Sequence, residues 1–235
     1  MLSVQKISVN GRRDQLLPAT SLQAARGGLL LVTGARQDQR TALALTLSGR
    51  MKPSGGAIEW DGNAKVNHLR AASAVVDSPG VNEPEQYQSV RDLVSEDLAL
   101  IPRRHRSALL GKNWLKVNFF EDIEALWAEQ LDPGRRIELL TALALANPDT
   151  DLLVLDSPDR HSGDPGDWLP RLEELAYDAG RPLAVVATVT SLPDGWAGPA
   201  ASIGNASTEP EPQHRPDPPA EESLPVQALQ EEDAK

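Results

Sequence analysis

Short apolar runs alternate with amphipathic stretches along most of this 235-residue chain. Residues 2–9, LSVQKISV, alternate apolar and polar positions in the manner of a half-buried strand, and the SLQAA stretch before Gly27 and Gly28 is placed to pair with it. Leu29–Val32 is continuously apolar up to Gly34, as a strand covered on both faces is. From Arg40 to Ser48 there is no glycine or proline and much alanine and leucine, which predicts a buried helix ended by Gly49. Ala57–Trp60 followed by Asp61 and Gly62 reads as a strand entering a tight turn. Ala74–Val76, Leu152–Leu155 and Leu183–Ala187 predict further short strands, the last two separated by a helical segment over Leu169–Tyr177. Such alternation implies an α/β sandwich around a mostly parallel sheet. Between about residues 83 and 146 the period becomes helical, in Val90–Leu100, Phe119–Gln130 and Arg135–Ala146.

Composition narrows the possibilities. The length and the 40% hydrophobic content suit one domain with subdomains. The chain has no cysteine, which removes disulfides and thiolate metal sites and fits a reducing compartment. No stretch reaches the ~18–20 apolar residues that span a bilayer, and no basic, apolar, cleavable leader follows Met1, so a membrane role would come through a partner. Of the net charge of −11, a large share lies in residues 206–235, which hold eight acidic and two basic residues and prolines at 210, 212, 216, 218, 219 and 225. That segment is expected to be a disordered tail, solvating or, alternatively, docking a basic partner. An acidic body without a basic stripe argues against nucleic acid. One local patch interleaves Arg103, Arg104, Arg106, Lys112 and Lys116 with His105, Trp114 and Leu115, and is expected to be a solvated surface, with contact to a partner or lipid headgroups as the alternative.

The chemistry concentrates in residues 29–62, LLLVTGARQDQRTALALTLSGRMKPSGGAIEWDG, laid out as strand, phosphate loop, helix and second strand. In the loop pattern G-x-x-x-x-G-K-[ST], glycines let backbone N–H groups wrap a polyphosphate, the lysine reaches the terminal phosphates and the hydroxyl holds Mg²⁺. Here Gly34 and Thr41 keep their places, Gln39 stands for the penultimate glycine, Arg40 for the lysine, and Gln37 where many such loops carry another glycine. A side chain costs about 1–2 kcal/mol wherever the left-handed backbone is required. Arg40 keeps the charge and can fork onto phosphate oxygens. The expected phosphate contacts are therefore Gly34, Ala35, Arg36, Gln37, Asp38, Gln39, Arg40 and Thr41, weakened relative to an intact loop. The plainer reading is a strand–loop–helix corner in which Thr41 ties down the helix start. Farther on, LLVLDSPD puts Asp156 at the end of a buried strand, where its carboxylate can hold, with Thr41, a phosphate-bound Mg²⁺.

These segments, together with KPSGGAIEWDG, SVRDLVSEDLAL and LDPGRRIELLTALALANPD, occur in the order found in the ATP-binding cassette, and the chain resembles that nucleotide-binding subunit of ABC transporters over roughly residues 2–205. The resemblance implies a P-loop NTPase-like three-layer core with a mostly parallel sheet, an N-terminal antiparallel β subdomain and an inserted helical subdomain. It implies ATP and Mg²⁺ as cofactors, a separate transmembrane subunit as partner, a homo- or heterodimer with another cassette, and a cytoplasmic, peripheral location at the inner face of a membrane. The chain departs from the family at several positions. Ser157 stands where the family has the glutamate that polarises the attacking water, a loss that typically removes about 10²–10⁴ in rate, and Asp159 is a poorly placed substitute. LDPGRR corresponds to the signature LSGGQ-R, with Asp132 for the serine and Pro133 for the first glycine; the simpler role for both is helix grammar, Asp132 as cap and Pro133 in the first turn. The γ-phosphate-sensing glutamine falls near Asp77 and the switch histidine near Val189, while residues 10–13, where the adenine-stacking aromatic belongs, hold none. His68, His105, His161 and His214 match no family position and are expected at the surface. The combined expectation is a cassette that binds ATP weakly, with hydrolysis in doubt and no catalytic residue assigned, or a nucleotide-free scaffold acting only as an interaction partner.

Overall fold

The computed structural model describes residues 1–106 and 112–207; the acidic tail expected from residue 206 lies, from 208 onward, outside them. The chain runs β1 (Leu2–Asn10), β2 (Gln15–Ala24), β3 (Gly28–Thr33), α1 (Gln37–Leu47), β4 (Gly55–Trp60), α2 (Val66–Ala72) and β5 (Ser73–Val76). A helical section follows with α3 (Val90–Leu100), α4 (Lys112–Val117) and α5 (Pro133–Leu145), then β6 (Leu152–Asp156), α6 (Leu169–Tyr177), β7 (Ala184–Val189) and β8 (Ala200–Ser202). Two sheets result: an antiparallel one in the order β2-β1-β4 and a parallel one in the order β5-β6-β7-β3-β8.

The continuous apolar runs are explained by cover on both faces of the parallel sheet. Leu29 and Leu31 of β3, Leu153 and Leu155 of β6, and Val185 and Ala187 of β7 enter one core with residues of α3, α4, α5 and α6. The alternate residues Leu30, Val32, Leu152, Val154, Ala184 and Val186 enter a second core with α1 and the antiparallel sheet. Strand after strand therefore divides its side chains between two interiors, as period-2 geometry requires, and the middle of the sheet has no wet face.

Some elements differ from the sequence reading. β2 reaches back to Gln15 across Pro18, which is tolerated because β2 is an edge strand. The expected helix over Phe119–Gln130 is instead two one-turn 3-10 helices, Glu121–Ile123 and Ala128–Gln130. Phe119 there takes a left-handed φ of 62°, and Phe120 turns inward to stack on Trp114. Trp114 and Leu115, grouped by sequence with a surface patch, are buried. Helix α1 does stop at Gly49, whose φ of 70° lets the Gly49 and Arg50 amides close back on Thr46 and Leu45. After β8, a clamp joins the two sheets: Ile203 N–H donates to Thr33, Gly204 N–H to the Thr20 hydroxyl, and Ala206 N–H to Ala19. Asn205 bonds both backbone groups of Ser21.

Candidate functional site

At the carboxyl ends of β3 and β6 lies the loop predicted to contact phosphate. It is shorter than expected: α1 starts at Gln37, so Gln37–Arg40 are helical and the Arg40 N–H is taken by the Arg36 carbonyl. Arg36 and Asp38 pair with each other at the exposed rim, where the guanidinium holds the Asp38 carboxyl below its ordinary range. Gly34 approaches Ile203 closely: a Cβ on it would sit 2.6 Å from Ile203 Cδ1 and 3.2 Å from Arg40 Cγ. The glycine that the motif reserves for a phosphate is thus packed by apolar carbon.

Arg40 is buried and folds back under its own loop. Its Nε donates to Ser157 Oγ at 2.9 Å, Nη1 to the Gly34 and Ala35 carbonyls at 2.6 and 3.3 Å, and Nη2 to Gln37 Oε1 at 2.6 Å. Gln37 Nε2 in turn lies 3.1 Å from Thr41 Oγ1, 3.1 Å from Asp156 Oδ1 and 3.0 Å from Ser157 Oγ. Asp156 also accepts from the Ser157 hydroxyl at 3.0 Å and the Thr188 hydroxyl at 3.4 Å on Oδ1, and from Ser78 Oγ at 2.6 Å on Oδ2. The structure therefore brings Gly34, Ala35, Gln37, Arg40, Thr41, Asp156 and Ser157 together in one hydrogen-bond network and leaves Arg36, Asp38 and Gln39 out of it. The contributions of Ser78 and Thr188 have no counterpart in the motif reasoning.

This arrangement limits the chemistry. The Ser157 hydroxyl gives its proton to Asp156 and receives hydrogen bonds from Arg40 and Gln37, which exhausts one donor and two lone pairs. It is held at φ 59° as neither base nor free nucleophile. Asp159 spends Oδ2 on the Thr190 N–H at 2.7 Å. The Mg²⁺ expected at Thr41 and Asp156 does not fit the donor set as arranged, because each of those oxygens already faces a side-chain hydrogen donor.

A second carboxylate sits beside the first, one strand over. Asp77, just past β5, is buried with a left-handed φ of 57°. Arg136 of α5 grips it with two hydrogen bonds of 2.9 and 2.8 Å, Arg160 adds one at 2.9 Å and another to its carbonyl, and His161 Nε2 lies at 2.9 Å. Burial pushes the Asp77 carboxyl up, but the hydrogen bonds from Arg136 and His161 and the charges of Arg136 and Arg160 outweigh it and hold it far below the usual carboxylate range. His161 is thus a half-buried member of an ionic cluster rather than a surface residue, and His105 pairs with Asp149 at 3.0 Å. The second arginine of LDPGRR was the available sequence signal for the cluster.

The other altered positions serve the fold. Asp132 caps α5 by accepting from Arg135 N–H at 2.9 Å, with Pro133 in the first turn. Val189 is buried in β7 and its carbonyl accepts from Gly34 N–H at 3.0 Å. Between β5 and the helical section opens a groove of about 360 Å³ whose walls include Arg50, Arg70, Asp97, Leu100, Ile101 and Arg104. Burial and the neighbouring Arg70 charge lower the Arg50 pKa, while burial and then Glu96 raise that of Asp97.

No protein-family model matches the sequence, and no curated protein matches it. Solved structures do. cbiO1 from Clostridium perfringens, part of the ABC transporter complex cbiONQ, is 20% identical with a TM-score of 0.58, covering 81% of this chain and 78% of its own. A dimeric bacterial ABC transporter cassette is 18% identical with a TM-score of 0.59, covering 81% and 88%. The post-hydrolysis dimer of a cassette bound to ADP and Pi is 16% identical with a TM-score of 0.59, at the same coverage. The likeness is one of fold: the chain has the architecture of ABC transporter ATP-binding cassettes.

Proposed function

We propose that this chain is a cassette subunit of an ABC-type transporter that binds ATP weakly, does not hydrolyse it, and serves its assembly through contacts with another cassette and with a separate membrane subunit at the inner face of the membrane. The observation that carries this reading is Arg40, a cation retained at the lysine position but turned inward onto Ser157, Gln37 and two loop carbonyls. A phosphate must draw it out of those bonds, each worth about 0.5–1.5 kcal/mol net, so affinity falls while the positive charge remains. Hydrolysis lacks a carboxylate next to Asp156, and positioning plus charge stabilisation supply nearly all phosphoryl-transfer catalysis. Among the described residues no helix is long and apolar enough to cross a membrane, so contact with one would pass through a partner. The groove between β5 and the helical section, with arginines and apolar residues in its walls, is the partner seat this reading favours.

Calorimetric titration of the full chain with ATP tests it. Saturable heat at millimolar ligand, lost in Arg40→Ala and unaccompanied by phosphate release, is the expected result. Phosphate release that Asp156→Asn abolishes would overturn the non-hydrolysing assignment. Complete silence would leave the second reading, a nucleotide-free scaffold, for which the packing of Ile203 on Gly34 is the specific observation; its melting temperature would not respond to ATP.

A further inference from the structure

The Gln37 amide is oriented by charge. Its Oε1 accepts the 2.6 Å hydrogen bond from Arg40, so Nε2 must face Thr41, Asp156 and Ser157. Turning the group over would set a carbonyl oxygen against a carboxylate and an NH₂ against a guanidinium, so the hydrogen-bond network fixes the assignment. The positive end of the amide therefore points into three oxygens 3.0–3.1 Å away, two of which are the pair expected to share a cation. Mg²⁺ demands oxygen ligands at about 2.0–2.1 Å in near-octahedral order. An NH₂ cannot ligate, and Asp156 Oδ2 is already occupied by Ser78 at 2.6 Å. Arg40 and Asp156, joined through Ser157 and Gln37, also offset each other's charge, so a dication would leave the cluster with excess positive charge.

We propose that Gln37 is a built-in occupant of the divalent-cation position and makes recognition of any polyphosphate by the Gly34–Thr41 loop independent of metal. The ligand part rests on the reading that the loop takes ATP; exclusion of the cation rests on the side-chain geometry alone.

Mn²⁺ is the probe, added to the full chain and read as paramagnetic broadening of backbone amide signals. The wild type is expected to show none at Gly34–Thr41 or Asp156–Ser157. Gln37→Glu, which exchanges the donor for an oxygen at nearly constant shape, and Gln37→Ala should both gain Mn²⁺ affinity by about tenfold, the scale of one exchanged polar contact, and Asp156→Asn should cancel the gain. Broadening at these residues in the wild type, or no gain in either variant, overturns the inference. In parallel, wild-type ATP affinity should be equal in Mg²⁺ and in EDTA, whereas Gln37→Ala should prefer Mg²⁺ by about tenfold; a tenfold Mg²⁺ preference in the wild type overturns it as well. If no form binds ATP while the Mn²⁺ results are as expected, the ATP reading falls and Gln37 remains the occupant of the cation position.

Discussion

Two buried carboxylates stand at the same edge of the parallel sheet, at the ends of adjacent strands, and are satisfied in opposite ways. Asp156 is surrounded by neutral donors, three hydroxyls and an amide. Asp77 is clasped by two guanidiniums and an imidazole. Neutral hydrogen-bond partners can be exchanged for other neutral partners at modest cost, whereas a buried ion pair that loses one member leaves an uncompensated charge. One corner is therefore exchangeable and the other is a fixed tie between β5, α5 and the turn after β6.

The largest effect should come from breaking the fixed corner. Asp77→Asn removes the charge facing Arg136 and Arg160 with little change of shape and is expected to cost about 3–5 kcal/mol in urea unfolding. Because the folded-state pKa of Asp77 lies below its unfolded value, its contribution is fully present above the ordinary carboxylate range near 3.8 and fades as pH falls below it. The wild-type urea midpoint should accordingly drop more steeply than that of Asp77→Asn on acidification below about pH 4; parallel curves would remove the distinction between the corners. At the exchangeable corner Asp156→Asn should cost about 1–3 kcal/mol, since hydroxyl rotors can turn to suit a neutral amide. A loss as large as that of Asp77→Asn would make both corners equally rigid. The smallest effect, about 1 kcal/mol, is expected for Asp132→Ala in urea unfolding, since it removes only a helix cap.

The same contrast explains what was legible in the sequence. Continuous runs such as Leu29–Val32 and Leu152–Leu155 announced strands buried on both faces, because neighbouring residues carry the signal together. Pro18 concealed the first half of β2, since the sequence does not say which strand lies at an edge. Phe119–Gln130 has helical spacing, yet the left-handed Phe119 and the inward turn of Phe120 break it. Motif order singles out Gly34, Arg40, Thr41 and Asp156, which the fold places at one end of the sheet. What Gln37 does was not legible, because its partners Asp156 and Ser157 lie about 120 positions away and an amide carries no charge to mark the pairing. Asp77 and Arg136, 59 positions apart, were individually conspicuous but could be joined only by the fold.

The clamp after β8 has a mechanical side. Ile203 fills the space above Gly34 while the residues on either side of it are bonded to β2 and β3. The acidic chain that continues beyond residue 207 is thereby anchored to the back of the loop carrying Arg40 and Gln37. A pull at residue 207 would be borne first by the bonds of Ala206, Asn205 and Gly204 to β2 and would reach Ile203 and Gly34 only once those gave way; shortening the chain to residue 199 would strip the loop of its apolar backing, whereas shortening it to 207 would leave the backing in place.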